Sequence, residues 1–270
     1  VKYGQFDNFN YVYVDKNNTT YPTMVDNSYV WMNRPVFLRL GFDTDKVVSY
    51  KVNDGAYTSI GDSSQKDIYA DDSNSYFEKE TKVNITTKAI GDNKNQDSST
   101  DKNNFKYKKD EVPVYVDLNA PEAKVSDMKF YAKDSTEIQI DNASEKIPEA
   151  YKKVVTLDIS DSESGLVDKV VYSDHELTDI DVDNTTTDSV NKILSKYSNQ
   201  TISVNSGRAE LTVTADKNPS NDARNTYYFY TFDKSGNCTM ITCDIGALPQ
   251  IKGGAVKYKN ELKDGFTKAG

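Results

Sequence analysis

The sequence predicts an all-β protein made of two tandem β-sandwich modules, and three observations support this prediction. Apolar and polar residues alternate at period two along most of the chain, as they do in strands with one buried face. The hexapeptide Asp-Lys-Val-Val-Ser-Tyr at 45–50 recurs nearly unchanged at 168–173, after an apolar strand and an acidic turn in both places. Three alternating runs each end in an aspartate that a proline follows within a few residues: Asp15 and Pro22, Asp117 and Pro121, and Asp244 and Pro249.

The three proline joints suggest where the modules begin and end. Proline fixes φ and lacks a backbone N–H, so it ends a strand and stiffens the joint that follows. We therefore expect four parts: 1–21, the end strand of a preceding module and its joint; 22–117, the first module; 118–246, the second module; and 247–270, the start of a following module or a tail. Each full module is large enough to bury a core of its own.

The first module begins its strand pattern with an apolar run and an acidic turn. Its expected strands are at 36–40, 49–52, 83–90, 105–108 and 114–117. Polar loops are expected at 61–75 and 91–104, where Asn, Asp, Ser and Lys replace apolar residues.

The second module has the clearer strand pattern. Its expected strands are at 123–125, 137–140, 154–157, 170–172, 201–204, 209–214, 227–232 and 238–244. The run 227–232 is aromatic on both faces, which is typical of a central strand, and the Gly236 turn after it predicts a hairpin.

One segment of the second module breaks the period of two. Val190, Ile193, Leu194 and Tyr197 are spaced at i, i+3, i+4 and i+7, which is one face of a helix. A short inserted helix is therefore predicted at about 188–197, with Thr187 or Asp188 as its N-cap.

Three segments carry a resemblance to a known family: the joint at 116–121, the acidic turn at 161–166 with the strand after it, and the hairpin at 230–237. They resemble bacterial immunoglobulin-like (Big-type) domains, which are strung along surface and secreted proteins of Gram-positive bacteria. The resemblance implies a sandwich of about seven strands, an extracellular or cell-surface location, and a spacer or adhesive role. It supplies no catalytic residues.

The net charge and the hydropathy of the chain argue against two classes of partner, nucleic acids and membranes. The formal net charge of −9 argues against nucleic acid, because phosphate recognition needs a concentrated basic face. No apolar run is long enough to span a bilayer, so no membrane insertion is expected. A host or matrix glycan or protein is the expected partner, and the chain is expected to be a monomer.

Calcium is the one cofactor that the acidic segments suggest. Oxygen ligands gather at the turn formed by Asp158, Asp161, Glu163 and Asp168, and a flexible calcium site accepts such ligands. A hydrated acidic turn without metal is the alternative. The stretch at 179–184 lacks the glycine and the glutamate of a calcium loop, so it is interpreted as a strand with one acidic face.

Nucleophilic catalysis has little support in the sequence. His175 is the only histidine, and it lies between Asp174 and Glu176 with no nucleophile-elbow motif to serve it. The chain is therefore predicted to be non-enzymatic.

Aromatic residues offer a second kind of site. Tyr57, Tyr69 and Tyr76 lie in or near predicted loops, and exposed aromatic faces can stack on sugars. Trp31, just before the strand at 36–40, is expected to fill the first core.

The two cysteines are predicted to be free thiols. Cys238 and Cys243 fall on one predicted strand, where their Cα atoms would lie about 16 Å apart and on opposite faces. A local disulfide is the alternative.

These observations lead to one main functional hypothesis and one alternative. The main hypothesis is a structural or adhesive tandem segment of a bacterial cell-surface or secreted protein, acting as a spacer or a ligand-presenting stalk. The alternative is a carbohydrate-binding accessory module of a polysaccharide-degrading enzyme.

Overall fold

A computed structural model describes residues 4–91, 104–139, 150–214 and 226–245. The chain divides into two compact units between Leu118 and Asn119, within the second proline joint. The predictions for 247–270 and for the joint at Pro249 lie outside the described residues, as does the end of the strand expected at 137–140.

The described part of unit 1 consists of strands and turns. Its strands are β1 (Gly4–Gln5), β2 (Phe9–Asp15), β3 (Thr20–Tyr21), β4 (Met24–Val25), β5 (Ser28–Tyr29), β6 (Val36–Phe42), β7 (Val47–Val52), β8 (Thr58–Ser59), β9 (Gln65–Ile68), β10 (Lys79–Ile90) and β11 (Phe105–Asp117).

Two antiparallel sheets of unit 1 share one core. The first sheet has the order β1-β2-β6-β9, with β3 paired to β2, and the second has the order β11-β10-β7-β8. Tyr13 and Leu38 from the first sheet and Ile85 and Val114 from the second belong to the same buried cluster. The alternation seen in the sequence therefore places apolar side chains between two sheets, as a sandwich requires.

Strand β2 differs from the expectation that it closes a preceding module. It pairs with β6 over the whole length Phe9–Asp15 and contributes Tyr11 and Tyr13 to the core of unit 1. The aspartate at its end does not mark a module boundary here. Asp15 instead accepts hydrogen bonds from the backbone N–H groups of Asn17 and Thr19, which close the turn into β3.

Two further parts of unit 1 differ from the sequence expectations. The strands expected at 105–108 and 114–117 form the single strand β11, which pairs with β10 along most of its length. The polar residues 108–111 hid this continuity because they carry no apolar alternation. The loop expected at 61–75 contains the edge strand β9, whose Ile68 is the only apolar residue within it.

Unit 2 is also mostly β. Its elements are β12 (Glu122–Tyr131), β13 (Glu137–Ile138), β14 (Lys152–Ser160), β15 (Lys169–Ser173), a 3-10 turn (Val182–Asn184), α1 (Thr187–Lys196), β16 (Thr201–Ser203), β17 (Arg208–Thr214), β18 (Thr226–Phe232) and β19 (Cys238–Asp244). Its two antiparallel sheets have the orders β13-β12-β14-β17 and β16-β15-β18-β19.

Strand β18 is covered on both faces. Phe229 lies in the core between the two sheets, whereas Tyr230 and Phe232 belong to a second buried cluster that also contains Val190 and Ile193 of α1. The aromatic run is explained by this double burial, because consecutive side chains of a strand point to opposite faces. The all-β prediction with one short helix is confirmed.

The helix begins one residue earlier than predicted. Thr186, and not Thr187 or Asp188, is the N-cap: its hydroxyl accepts from the Ser189 N–H, and the Ser189 hydroxyl accepts from the Thr186 N–H. The strand interpretation of 179–184 is wrong. Ile180 is buried under the helix, and Val182–Asn184 forms a 3-10 turn.

The cysteines are free, as predicted, and both are buried. Cys238 belongs to the cluster under α1, whereas Cys243 lies in the core between the sheets. The odd separation along β19 thus places them on opposite faces. Among the described residues, no helix has the length and apolarity needed to cross a bilayer.

Candidate functional site

The aromatic side chains of unit 1 supply the candidate binding surfaces. Every ring–ring contact among the described residues lies within unit 1. Three groups of these rings lie at least partly outside the core, and each is built on a different part of the two sheets.

Two of the three predicted tyrosines meet on the outer face of the first sheet. The rings of Tyr69 and Tyr76 lie edge to face with centroids 5.9 Å apart, and Tyr69 stacks on Phe37 of β6 at 4.8 Å. The Arg39 guanidinium lies 5.5 Å from the Phe37 centroid and is bonded to Asp67, with Nε to Oδ1 at 2.9 Å. This Tyr69 surface (Phe37, Arg39, Asp67, Tyr69 and Tyr76) thus combines stacked rings with a charged pair.

The third predicted tyrosine lies elsewhere. Tyr57 precedes β8 in the second sheet and makes an edge-to-face contact with Tyr107 of β11, with centroids 5.9 Å apart. Tyr57 is 43% exposed and Tyr107 is 59% exposed. Tyr107 was not singled out from the sequence, because its partner Tyr57 lies 50 residues earlier along the chain.

A third aromatic group contains Trp31, which the sequence predicted for the core, and two tyrosines that the sequence did not single out. Trp31 is half-buried and contacts Tyr115 at 4.8 Å between centroids, and Tyr29 contacts the same ring at 5.2 Å. The prediction that Trp31 fills the core is wrong, because the neighbouring Met32 takes the core position. Adjacent side chains of an extended segment point in opposite directions, so a buried Met32 would have predicted that Trp31 points away from the core.

Burial keeps the tyrosines beneath these surfaces neutral even above their usual pKa of 10.0. Tyr13 is fully buried, and its hydroxyl accepts a hydrogen bond from the Tyr115 N–H at 3.1 Å. Burial raises the pKa of Tyr13, and it raises the pKa of Tyr11 in the same way. These groups therefore support the surface without contributing charge to it.

Three of the four predicted calcium ligands take separate partners through their carboxylates. Asp158 pairs with Arg208 across the sheet, with an oxygen-to-nitrogen distance of 3.3 Å, and Glu163 accepts from the Asn119 side chain at 2.9 Å. The Asp168 backbone carbonyl accepts from the Val204 N–H. Asp161 accepts from the Gly165 N–H at 2.6 Å, which closes the acidic turn.

The carboxylate of Asp161 nevertheless has a close acidic neighbour. A carboxylate oxygen of Asp233, in the turn between β18 and β19, lies within 4.8 Å of one from Asp161. Asp233 is buried and accepts from the backbone N–H groups of Ser235 and Asn237. A calcium site at the acidic turn remains a prediction, which a calcium-dependent shift in Tm would test.

His175 has the wrong geometry for a catalytic relay. The same ring nitrogen, Nδ1, lies 2.7 Å from Asp174 Oδ1 and 3.1 Å from Ser173 Oγ. A Ser-His-Asp relay needs the two ring nitrogens to face different partners. The imidazole is also 69% exposed, so nothing around it excludes water.

Comparison with known proteins found no matching family model, no matching curated protein and no matching solved structure. The aromatic surfaces of unit 1 are therefore the main guide to function.

Proposed function

We propose that this chain is a non-enzymatic, ligand-presenting segment of a bacterial cell-surface or secreted protein, built from tandem immunoglobulin-like sandwiches. One observation carries the proposal: unit 1 has aromatic rings on the outer faces of both of its sheets, with charged side chains in contact with them. Exposed aromatic side chains are enriched where proteins bind sugars or other proteins.

The architecture of each unit supports the same proposal. Each unit has two antiparallel sheets with its own buried core, and four residues (118–121) separate β11 from β12. A short connection that contains a proline suits tandem modules of a spacer or stalk.

The two units are proposed to differ in role. The aromatic run of unit 2 lies in β18, where Phe229, Tyr230 and Phe232 are buried. Those three buried rings therefore serve packing, whereas Tyr29, Tyr57 and Tyr107 of unit 1 are 45%, 43% and 59% exposed. We assign ligand binding to unit 1 and spacing to unit 2.

An array that carries glycans and extracellular matrix proteins tests this function with the intact chain. The expected result is reproducible binding to at least one ligand, which is lost when the chain is unfolded before application. Silence across the array, with calcium and with a chelator, contradicts ligand presentation and leaves a spacer alone.

The second candidate function is an accessory carbohydrate-binding module of a polysaccharide-degrading enzyme. The Tyr69 surface favours it, because stacked rings beside the Arg39–Asp67 pair resemble the mixture of apolar and polar contacts that sugars need. Co-sedimentation with insoluble polysaccharides, lost in Tyr69→Ala and kept in Tyr29→Ala, would favour this candidate over an adhesive role.

A further inference from the structure

The outer face of the second sheet of unit 1 combines exposed rings with lysines. We call it the Tyr107 face and define it by Lys51, Tyr57, Lys88, Phe105, Tyr107 and Lys109. The opposite face of the same strands carries Val83, Ile85, Val112 and Val114, which are buried in the core. The strand alternation therefore directs the Tyr107 face away from the core.

Strand pairing aligns these residues in two neighbouring rows. Lys88 of β10 is paired with Tyr107 of β11 and with Ser49 of β7. Thr86, two residues earlier on β10, is paired with Lys109 and with Lys51. The six side chains of these rows include three lysines and no carboxylate.

Two of the three lysines are held against aromatic rings. The Nζ atom of Lys88 lies 4.1 Å from the Phe105 centroid and 6.0 Å from the Tyr107 centroid, and Lys51 Nζ lies 5.3 Å from the Tyr57 centroid. A ring attracts an ammonium group through its quadrupole and leaves the positive charge in place, unlike a carboxylate. The face thus presents ordered charges that still lack an anionic partner within the two rows.

The charge of this face is opposite to that of the whole chain. The formal net charge is −9, yet the two rows carry three positive charges. Farther along the same strands, Lys82 is already paired with Glu111 at 3.3 Å. Charge complementarity therefore favours an anionic ligand on the rows around Tyr107.

We propose that the Tyr107 face binds an anionic polysaccharide. The rings of Tyr57 and Tyr107 contact the apolar faces of sugars, while the ammonium groups of Lys51, Lys88 and Lys109 contact carboxylate or sulfate groups. The inference rests on the proposed function, ligand presentation by unit 1, and names the class of ligand.

A polysaccharide fits better than a nucleic acid, although both combine anions with stacking surfaces. Duplex DNA carries one negative charge per about 1.7 Å of axis, so the acidic remainder of the chain repels it strongly. The three charges of the face lie at strand spacings, with Lys51 and Lys109 separated by two strand intervals, or about 10 Å. Such wide spacing suits a polymer with less dense charge.

The test measures the affinity of the intact chain for soluble polysaccharides at low ionic strength. The probes are polygalacturonate for carboxylates, dextran sulfate for sulfates and unmodified dextran as the neutral comparison. We expect binding to at least one polyanion, no binding to dextran, and a decline in affinity with added salt. The polyanion that binds more tightly identifies the anionic group.

Two double variants and two matched controls locate the site. The double variants are Tyr57→Ala/Tyr107→Ala and Lys51→Gln/Lys88→Gln. Each should lower the affinity for the polyanion about threefold to tenfold, and the lysine variant should also make that affinity less dependent on salt. Tyr131→Ala removes a tyrosine of unit 2 that also lies against a lysine, with Lys152 Nζ 4.4 Å from its ring centroid, and should leave binding unchanged. Lys124→Gln removes an exposed strand lysine of unit 2 and should do the same.

The possible failures are distinguishable. Equal binding to dextran, unchanged affinity in both double variants, or tighter binding to single-stranded DNA overturns the inference. A chain that binds other glycans or matrix proteins, but neither polyanion, contradicts only the assignment of the Tyr107 face. A chain that binds no ligand at all contradicts the proposed function itself.

Discussion

Lys153 is a lysine placed where water does not reach it. It lies on β14 at 1% exposure, and its Nζ donates to the Ile245 carbonyl at 3.1 Å. Burial lowers the pKa of Lys153 from its usual 10.5, and the Asp244 carboxylate opposes this effect only in part. The ammonium form is thus less favourable in the folded chain than in the unfolded chain.

The pH dependence of stability should reveal this lysine. Between the lowered pKa and 10.5 the unfolded state binds the proton more readily, so the free energy of unfolding contributed by this group rises with pH. Below the lowered pKa its contribution is constant and unfavourable. We expect urea denaturation to show that the unfolding free energy of the wild type increases relative to that of Lys153→Met as the pH rises toward 10.5. Parallel curves for the two proteins would contradict this expectation.

The cysteines should be inert at neutral pH in the folded chain. Burial raises the pKa of Cys238 to about 12 and raises that of Cys243 as well, so neither forms a thiolate near neutrality. Their contribution to stability is complete below the usual pKa of 9.0 and is lost as pH rises above it. A thiol reagent at pH 8 should label neither cysteine before unfolding and both in denaturant. Rapid labelling of the native chain would show that β19 opens locally.

At the scale of elements, the turn before β19 packs so closely against the start of α1 that it requires a glycine at position 236. Gly236 has φ of +97°, and a Cβ there would lie 2.5 Å from the Thr187 backbone nitrogen. Gly61 also has positive φ, at +61°, but nothing lies within 4 Å of its Cβ position. Comparing the two glycines therefore distinguishes the cost of positive φ alone, at Gly61, from that cost plus a steric clash, at Gly236.

Alanine at the two glycines should therefore have unequal effects. Gly61→Ala should cost about 1–2 kcal/mol of unfolding free energy, the penalty of left-handed backbone for a residue with a Cβ. Gly236→Ala should cost more, because the start of α1 must also move away. Chemical denaturation of both variants measures the difference, and equal losses would mean that the turn and the helix start adjust freely.

The helix cap offers a second test at this scale. Thr186→Ala removes the side-chain acceptor for the Ser189 N–H and should lower stability by about 1 kcal/mol. Thr186→Ser keeps the acceptor and should restore most of the loss. A Ser variant as unstable as the Ala variant would show that the threonine methyl, and not the hydrogen bond, matters.

Elements with apolar alternation were predictable from sequence, and those without it were not. The helix was visible because Val190 and Ile193 share a face, and β18 was visible because its aromatic side chains fill two cores. The polar half of β11 was hidden, since strand pairing with β10, and not apolar burial, extends it. A local sequence pattern predicts which side chains are buried, but it does not predict which strand pairs with a given strand.

The candidate surfaces were predictable only in part, for the same reason. Tyr57 and Tyr69 could be nominated as loop tyrosines, but their partners Tyr107 and Phe37 come from strands elsewhere in the chain. The acidic turn was visible as a cluster in sequence, whereas the proximity of Asp161 to Asp233 depends on the tertiary fold.

At the scale of the whole molecule, each unit has a core built from its own residues. Leu38 is fully buried in unit 1 and Leu157 is fully buried in unit 2. Replacing either with alanine should cost about 2–5 kcal/mol in the unit that contains it. Trp31 is the only tryptophan in the chain, so its fluorescence reports on unit 1.

Denaturation followed by Trp31 fluorescence should thus respond to Leu38→Ala and not to Leu157→Ala. Far-ultraviolet circular dichroism, which sees both units, should respond to both variants. An equal shift of the fluorescence transition in Leu157→Ala would mean that the two units unfold as one cooperative body.

The double burial of β18 has a consequence for how this chain can diverge. With the sheet core on one side and the α1 cluster on the other, Phe229, Tyr230, Thr231 and Phe232 all lie within 1% exposure. Because the side chains of β18 pack into two different cores, few substitutions in this strand will preserve the fold and survive selection. Tyr57 and Tyr107 of unit 1, at 43% and 59% exposure, have no such constraint, and descendants of this chain can acquire new ligands at their face while the strand beneath α1 stays unchanged.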